Sequence, residues 1–189
     1  MTPFAESITR LLSLGTIIGD LLIIVFLVLL LLRSRRHENA RLHTALDLLE
    51  TRALALAFLF SVAATVSSLF YSQIAGLPPC SLCWIQRALL FPQVLFLGLS
   101  WWFGSHRIVK YSSALSVVGM LVSAYHAYLQ YGGSNHVLCN AFGGAVSCAQ
   151  RYFLEFGYIT MPIMSFTIFA LLFILTFHFH KGRKALPEN

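Results

Sequence analysis

Long apolar runs separated by short polar connections set the frame. Five stretches are apolar over about 20 residues or more, the length needed to cross a bilayer: Leu11–Leu32, Ala53–Ala75, Leu82–Phe103, Ile108–Tyr131 and Phe156–His180. They are too long and uniform for core strands, and open strands would leave backbone groups unpaired in lipid. The pattern predicts an all-α integral membrane protein of five transmembrane helices. The first apolar run exceeds the about 7–15 residues of a secretory signal, and no small-x-small cleavage site follows it, so a retained helix is expected. The first connection, Arg33–Thr51, carries Leu42, Leu46 and Leu49 at helical spacing. This suits a short amphipathic helix on the membrane surface, or a helical linker with one apolar edge.

Composition narrows the class. Apolar residues make up 58% of the 189 and charged residues 11%, with mean hydropathy +0.76. That is too little charge to cover a soluble surface, which excludes a soluble enzyme, a disordered chain and a nucleic-acid-binding arm. The formal charge of +6 is then read as topology. Ten of the thirteen basic residues fall in or beside the first and third connections and after the fifth run, whereas Arg10, Arg87 and Arg151 fall on the other side. The positive-inside rule puts the N-terminus outside and the C-terminus in the cytoplasm.

This orientation places all four cysteines on the outer side, where disulfides persist. Cys80 and Cys83 form C-S-L-C at the mouth of the third helix; Cys139 and Cys148 lie in the longest outer connection, Gly132–Glu155. Three connectivities are possible, and proximity in sequence favours 80–83 and 139–148. Gly143 and Gly144 supply a turn for the second ring, which as a staple would contribute roughly 2–3 kcal/mol. A C-x-x-C ring constrains almost no chain, and suits a bond that opens and closes. Pro78 and Pro79 bring the chain in extended, so the cysteines meet the positive end of the helix dipole, which stabilises a thiolate. Arg87, four residues after Cys83, shares its face and adds a cation, or else snorkels to headgroups. Zinc is disfavoured, because C-x₂-C with C-x₈-C is not the usual pair of ligand spacings. No metal is expected.

These residues carry a resemblance. P-C-S-L-C-W-I-Q-R, a later two-cysteine loop, and F-G-Y-I-T-M-P-I-M-S resemble the DsbB/BdbC family of membrane disulfide-forming oxidoreductases, over roughly Ala53 to His180. The resemblance implies a four-helix bundle with a quinone, ubiquinone or menaquinone, near its outer end. It implies that Cys80 and Cys83 pass electrons to the quinone and that Arg87 supports quinone binding. It implies that Cys139 and Cys148 exchange disulfides with a DsbA-like thioredoxin-fold partner, Cys139 forming the mixed disulfide. The domains expected are an extra N-terminal helix (1–32), a cytoplasmic linker (33–51), the four-helix bundle (52–181) and a cytoplasmic tail (182–189). The extra helix departs from the family pattern, as does the short separation of Cys139 from Cys148. Trp84, Phe91 and Tyr125 are candidate walls of the quinone site and His126 a candidate polar contact, about 7–8 Å below Tyr131 at the helical rise. Asp20, inside the first span, should face another helix, and Gly15 with Gly19 gives a G-x-x-x-G spacing for close approach. Pro162 should sit in the first turn of the last helix, and Pro92 should kink the third. The alternatives are a vitamin K epoxide reductase-like enzyme with the flow reversed, and a non-catalytic scaffold stapled by two inert disulfides.

Overall fold

The computed structural model describes residues 3–35, 40–103, 106–133, 139 and 146–183. These form five helices: α1 (Pro3–Arg35), α2 (Ala40–Gln73), α3 (Ser81–Phe103), α4 (His106–Gln130) and α5 (Met161–Arg183). There is no strand among them beyond one isolated bridge, Glu155 to Ile159. Four helices are long and apolar enough to span a membrane, and the described apolar part of α5 runs from Met161 to Phe177. The protein is a helical membrane bundle.

Three boundaries differ from the hydropathy reading, the first being that α1 begins at Pro3, eight residues before Leu11. Residues 40–51 are the leading turns of α2 rather than a separate helix, since neither glycine nor proline interrupts the chain from Ala40 to Gln73. Which way Leu42, Leu46 and Leu49 face lies outside the described residues, as do Gly143, Gly144 and the tail from 184. The last helix begins at Met161, five residues later than Phe156. Phe156 and Gly157 adopt positive φ, 50° and 80°, and the turn is closed by Glu155 N–H to Ile159 O (3.0 Å) and Ile159 N–H to Glu155 O (2.9 Å). Hydropathy missed this turn because Phe156, Tyr158 and Ile159 are apolar. Pro162 does sit in the first turn, where its missing N–H costs nothing. α3 continues through Pro92.

α2, α3, α4 and α5 pack around one core, with α4 against α3 and α5, and α2 against the same two. Leu97, Val109, Phe169 and Leu172 are buried at its centre. Gly119 on α4 admits the Phe169 ring: a Cβ there would lie 2.5 Å from ring carbons. Polar pairs hold the helices in register. Gln93 Oε1 accepts from the Ser112 and Ser116 hydroxyls, each at 3.0 Å, and Ser113 donates to Thr176 at 2.8 Å. Such bonds average about 0.6 kcal/mol each inside membrane bundles.

α1 stands outside this ring and packs chiefly on α5. Asp20 faces α5, as its cost in lipid requires: its carboxylate accepts from Thr167 (2.6 Å) and from Tyr158 (3.2 Å). Gly19 permits the approach, since a Cβ there would meet Thr167 Cγ2 at 2.9 Å. Gly15 does not take part; a Cβ at that position would meet nothing within 4 Å among the described residues.

Candidate functional site

The ends of α2, α3 and α4 and the segment 146–160 meet at one end of the bundle. α2 stops through bonds from Ala75 N–H to Phe70 O and Leu77 N–H to Tyr71 O, both 3.0 Å, with Gly76 at φ 67°. Pro78 and Pro79 then carry the chain, extended, to Cys80. The Cys80 carbonyl accepts the first α3 bond, from Trp84 N–H at 3.2 Å. Cys80 is therefore the N-cap residue and Cys83 the third residue of the helix.

Cys80 and Cys83 are two thiols with sulfurs 3.0 Å apart, rather than the bonded pair read from spacing. Cys80 is buried, and its Sγ lies 3.6 Å from His126 Nε2. Gln86 Nε2 donates to His126 Nδ1 at 3.3 Å, which leaves the ring hydrogen on the nitrogen that faces the sulfur. The Cys80 thiol is held well below the ordinary thiol range, chiefly by the Cys83 thiol hydrogen bond and, against the cost of burial, by His126 and the Cys83 backbone N–H. A thiol lowered in this way stays ionised down to its lowered pKa. Alkylation of the reduced protein by iodoacetamide should therefore be flat from about pH 6 to pH 8, where a free thiol of pKa about 8.5 would accelerate steeply. In Cys83→Ala, which removes the largest stabilising bond, the rate should again rise through that range. The three ligand atoms of Cys80, Cys83 and His126 lie within 4.8 Å of one another, a grouping that cysteine spacing did not reveal.

Cys139 and Cys148 are bonded to each other, as expected. Both are buried and pack in one cluster with Cys80, Leu82 and Leu129, flanked by Cys83 and Tyr125. Residues after Cys148 tie this pair to the bundle. Tyr152 donates to Pro78 O at 2.8 Å, Phe153 stacks on Tyr71, and Gln130 donates to Gln150 O at 3.1 Å. Burial and the neighbouring sulfurs raise the Tyr152 pKa and keep its phenol a donor. Sequence reasoning passed over Tyr152 because nothing in its local context sets it apart from six other tyrosines.

On its other side the thiol pair opens to a cavity of about 400 Å³ between α1, α2 and α5. Cys83, Gln86, Arg87, Pro78 and Tyr152 line its cysteine end. Arg87 is buried; its Nε donates to Ser68 Oγ at 2.8 Å and Nη2 to the Ser68 carbonyl. It does not snorkel. Trp84, Phe91, Tyr125 and His126 do not line this cavity. Trp84 is 59% exposed and lies under the Arg87 guanidinium at 5.4 Å, one residue and so about 100° around the helix from Cys83. Tyr125 and His126 stand with the sulfurs on α4, whereas the cavity lies between other helices. Phe91 packs against the bundle core.

A multi-pass helical membrane protein that gathers a dithiol and a disulfide at one end is, by class, a membrane thiol–disulfide oxidoreductase. The model of the family described as disulfide bond formation protein DsbB matches residues 50–179. The chain belongs to that family. It is 34% identical over 124 residues to "Probable disulfide formation protein C 2" of Bacillus cereus, covering 66% of this chain and 88% of that one. It is 35% identical over 134 residues to the "SPbeta prophage-derived disulfide bond formation protein B" of Bacillus subtilis, covering 71% and 89%. No solved structure matches the chain.

Proposed function

We propose that this protein reoxidises a DsbA-like thioredoxin-fold dithiol outside the bacterial plasma membrane and passes the electrons to a membrane quinone. The observation that carries this reading is the division of one sulfur pair between two environments. Cys80 packs with Cys139 and Cys148, while Cys83 lines an apolar cavity with Arg87. The positive-inside distribution supports an N-terminus and four cysteines on the outer face.

The cavity suits ubiquinone or menaquinone: it is apolar, with a few polar groups at the end where Cys83 lies. A quinone supplies an acceptor for two electrons and two protons. The chain's residues do the rest. A partner thiolate attacks the Cys139–Cys148 disulfide, and the second partner sulfur releases it, leaving partner disulfide and two thiols here. Those thiols attack Cys80–Cys83 in turn, regenerating Cys139–Cys148. The sulfur they reach is Cys80, which packs beside them, and Cys83 is the one released at the cavity. Arg87 holds charge beside Cys83, and its two bonds to Ser68 fix its orientation. Each 30 mV between two-electron couples is about 1.4 kcal/mol, so an acceptor above roughly −120 mV draws even a strongly oxidising dithiol toward disulfide.

The test is a trap. Cys148→Ser frees Cys139 and should accumulate a mixed disulfide with a thioredoxin-fold protein, identified by mass spectrometry of membranes. Adding oxidised quinone to the reduced wild-type protein should remove its free thiols. If the thiols persist and a reduced quinone generates them instead, the flow runs the other way.

A further inference from the structure

We infer that α1, the helix outside the family match, is a working wall of the acceptor cavity, and that Gly15 sets the size of the ring admitted there. This inference rests on the quinone reading above. The family match begins at residue 50, so α1 is additional to the shared bundle. α1 is fastened at two places: Phe4 meets Phe70 of α2 edge-on, centroids 6.2 Å apart, and Gly19 with Asp20 seats on Thr167 of α5. Between these anchors it crosses the groove from α2 to α5, and Leu11, Leu12, Gly15 and Thr16 line the cavity.

Two independent observations point to a ligand. The first is Gly15. Glycine within a helix is less favourable than alanine, and packing does not call for it here, since a Cβ would meet nothing within 4 Å among the described residues. Gly19, one turn on, is crowded by Thr167 and Leu171 and shows what a packing glycine looks like. At position 15 the missing side chain keeps cavity space open. The second is Tyr71. It lines the same cavity and is 8% exposed, and its hydroxyl has no hydrogen-bond partner among the described residues. The nearby Thr9 hydroxyl gives its own proton to the Ala5 carbonyl at 2.8 Å. A buried phenol without an acceptor is satisfied by a ligand that brings one, and a ring carbonyl is such an acceptor. Arg87 commits Nε and Nη2 to Ser68, and Tyr71 adds an uncommitted donor that can orient the ring.

The experiment is a graded series, Gly15→Ala, Gly15→Val and Gly15→Leu, in the full-length detergent-solubilised protein. The readout is the equilibrium Kd of a short-tailed ubiquinone analogue. Stoichiometric exchange of Cys139–Cys148 with a reduced thioredoxin-fold protein reports folding. Kd should rise with side-chain volume, reaching about 30-fold or more for leucine as the site is overfilled. Tyr71→Phe should weaken binding about tenfold through loss of one hydrogen bond. Leu14→Phe, on the exposed face of α1, should leave Kd unchanged. A flat Kd across the series overturns the inference; if the leucine variant fails to exchange disulfides, the alanine and valine variants decide it. If the wild type does not bind the analogue at all, the quinone reading falls as well; if it binds and the series is flat, only the role of α1 falls.

Discussion

Cys83→Ser is expected to end quinone-dependent thiol oxidation, a loss of about three orders of magnitude or more, because a serine hydroxyl at neutral pH replaces neither the nucleophile nor the disulfide. The same variant should still exchange Cys139–Cys148 once with a reduced partner, since that pair is bonded independently of Cys83. Cys80→Ser should likewise stop turnover. In cells, either variant should leave the partner trapped in its reduced form, as gel-shift alkylation would show. Turnover near wild type in both variants would leave the C-x-x-C pair without a part in the reaction and return both cysteine pairs to the rank of staples. The inert-scaffold alternative makes a further opposite forecast: all four cysteines would resist mild dithiothreitol, and serine variants would fail through instability.

Arg87→Met should weaken quinone binding by about 10- to 100-fold, each tenfold being about 1.4 kcal/mol. Methionine keeps much of the volume and removes the cation that lines the cavity beside Cys83. The variant also loses both bonds to Ser68, so a drop in stability of about 1.5–3 kcal/mol accompanies it, the range for a hydrogen bond from a charged donor. Arg87→Lys separates the two effects. It restores a charge but not the paired donors, so binding should recover further than stability. The KM for quinone and the thermal midpoint in detergent are the two measurements. A KM equal to wild type in Arg87→Met, with stability lowered, would reduce Arg87 to a strut between α3 and α2.

Some of the site lay open to sequence reasoning because it is local. Cys80, Cys83 and Arg87 stand on one helix, where an i, i+4 spacing dictates a shared face. The proline pair before them dictates an extended entry. Asp20 was legible for a different reason: a carboxylate within an apolar span must find partners, whatever they are. Thr167 and Tyr158, the partners themselves, were not legible, since they lie well over a hundred residues away. The sulfur that the His126 ring faces, Cys80, lies 46 residues away on another helix and was not legible. Trp84, next to Cys83 in the chain, is turned about 100° from it around the helix and does not line the cavity. The start of α5 was misplaced because a turn built of Phe156, Gly157 and Tyr158 is as apolar as a helix.

By itself the chain of residues determined that the protein is a helical membrane protein, roughly where its spans lie, and which sulfurs belong together as neighbours. Those are properties of length, hydropathy and helical period, and no distant contact alters them. How each helix is turned about its own axis, and therefore which side chains meet, was decided by tertiary packing. Lipid is as apolar as a protein interior, so hydropathy does not distinguish a face turned to the bilayer from one turned to a cavity. That is why the placing of Cys83 on a cavity and Cys80 against a second sulfur pair emerged with the fold. The same holds for the third wall that α1 contributes.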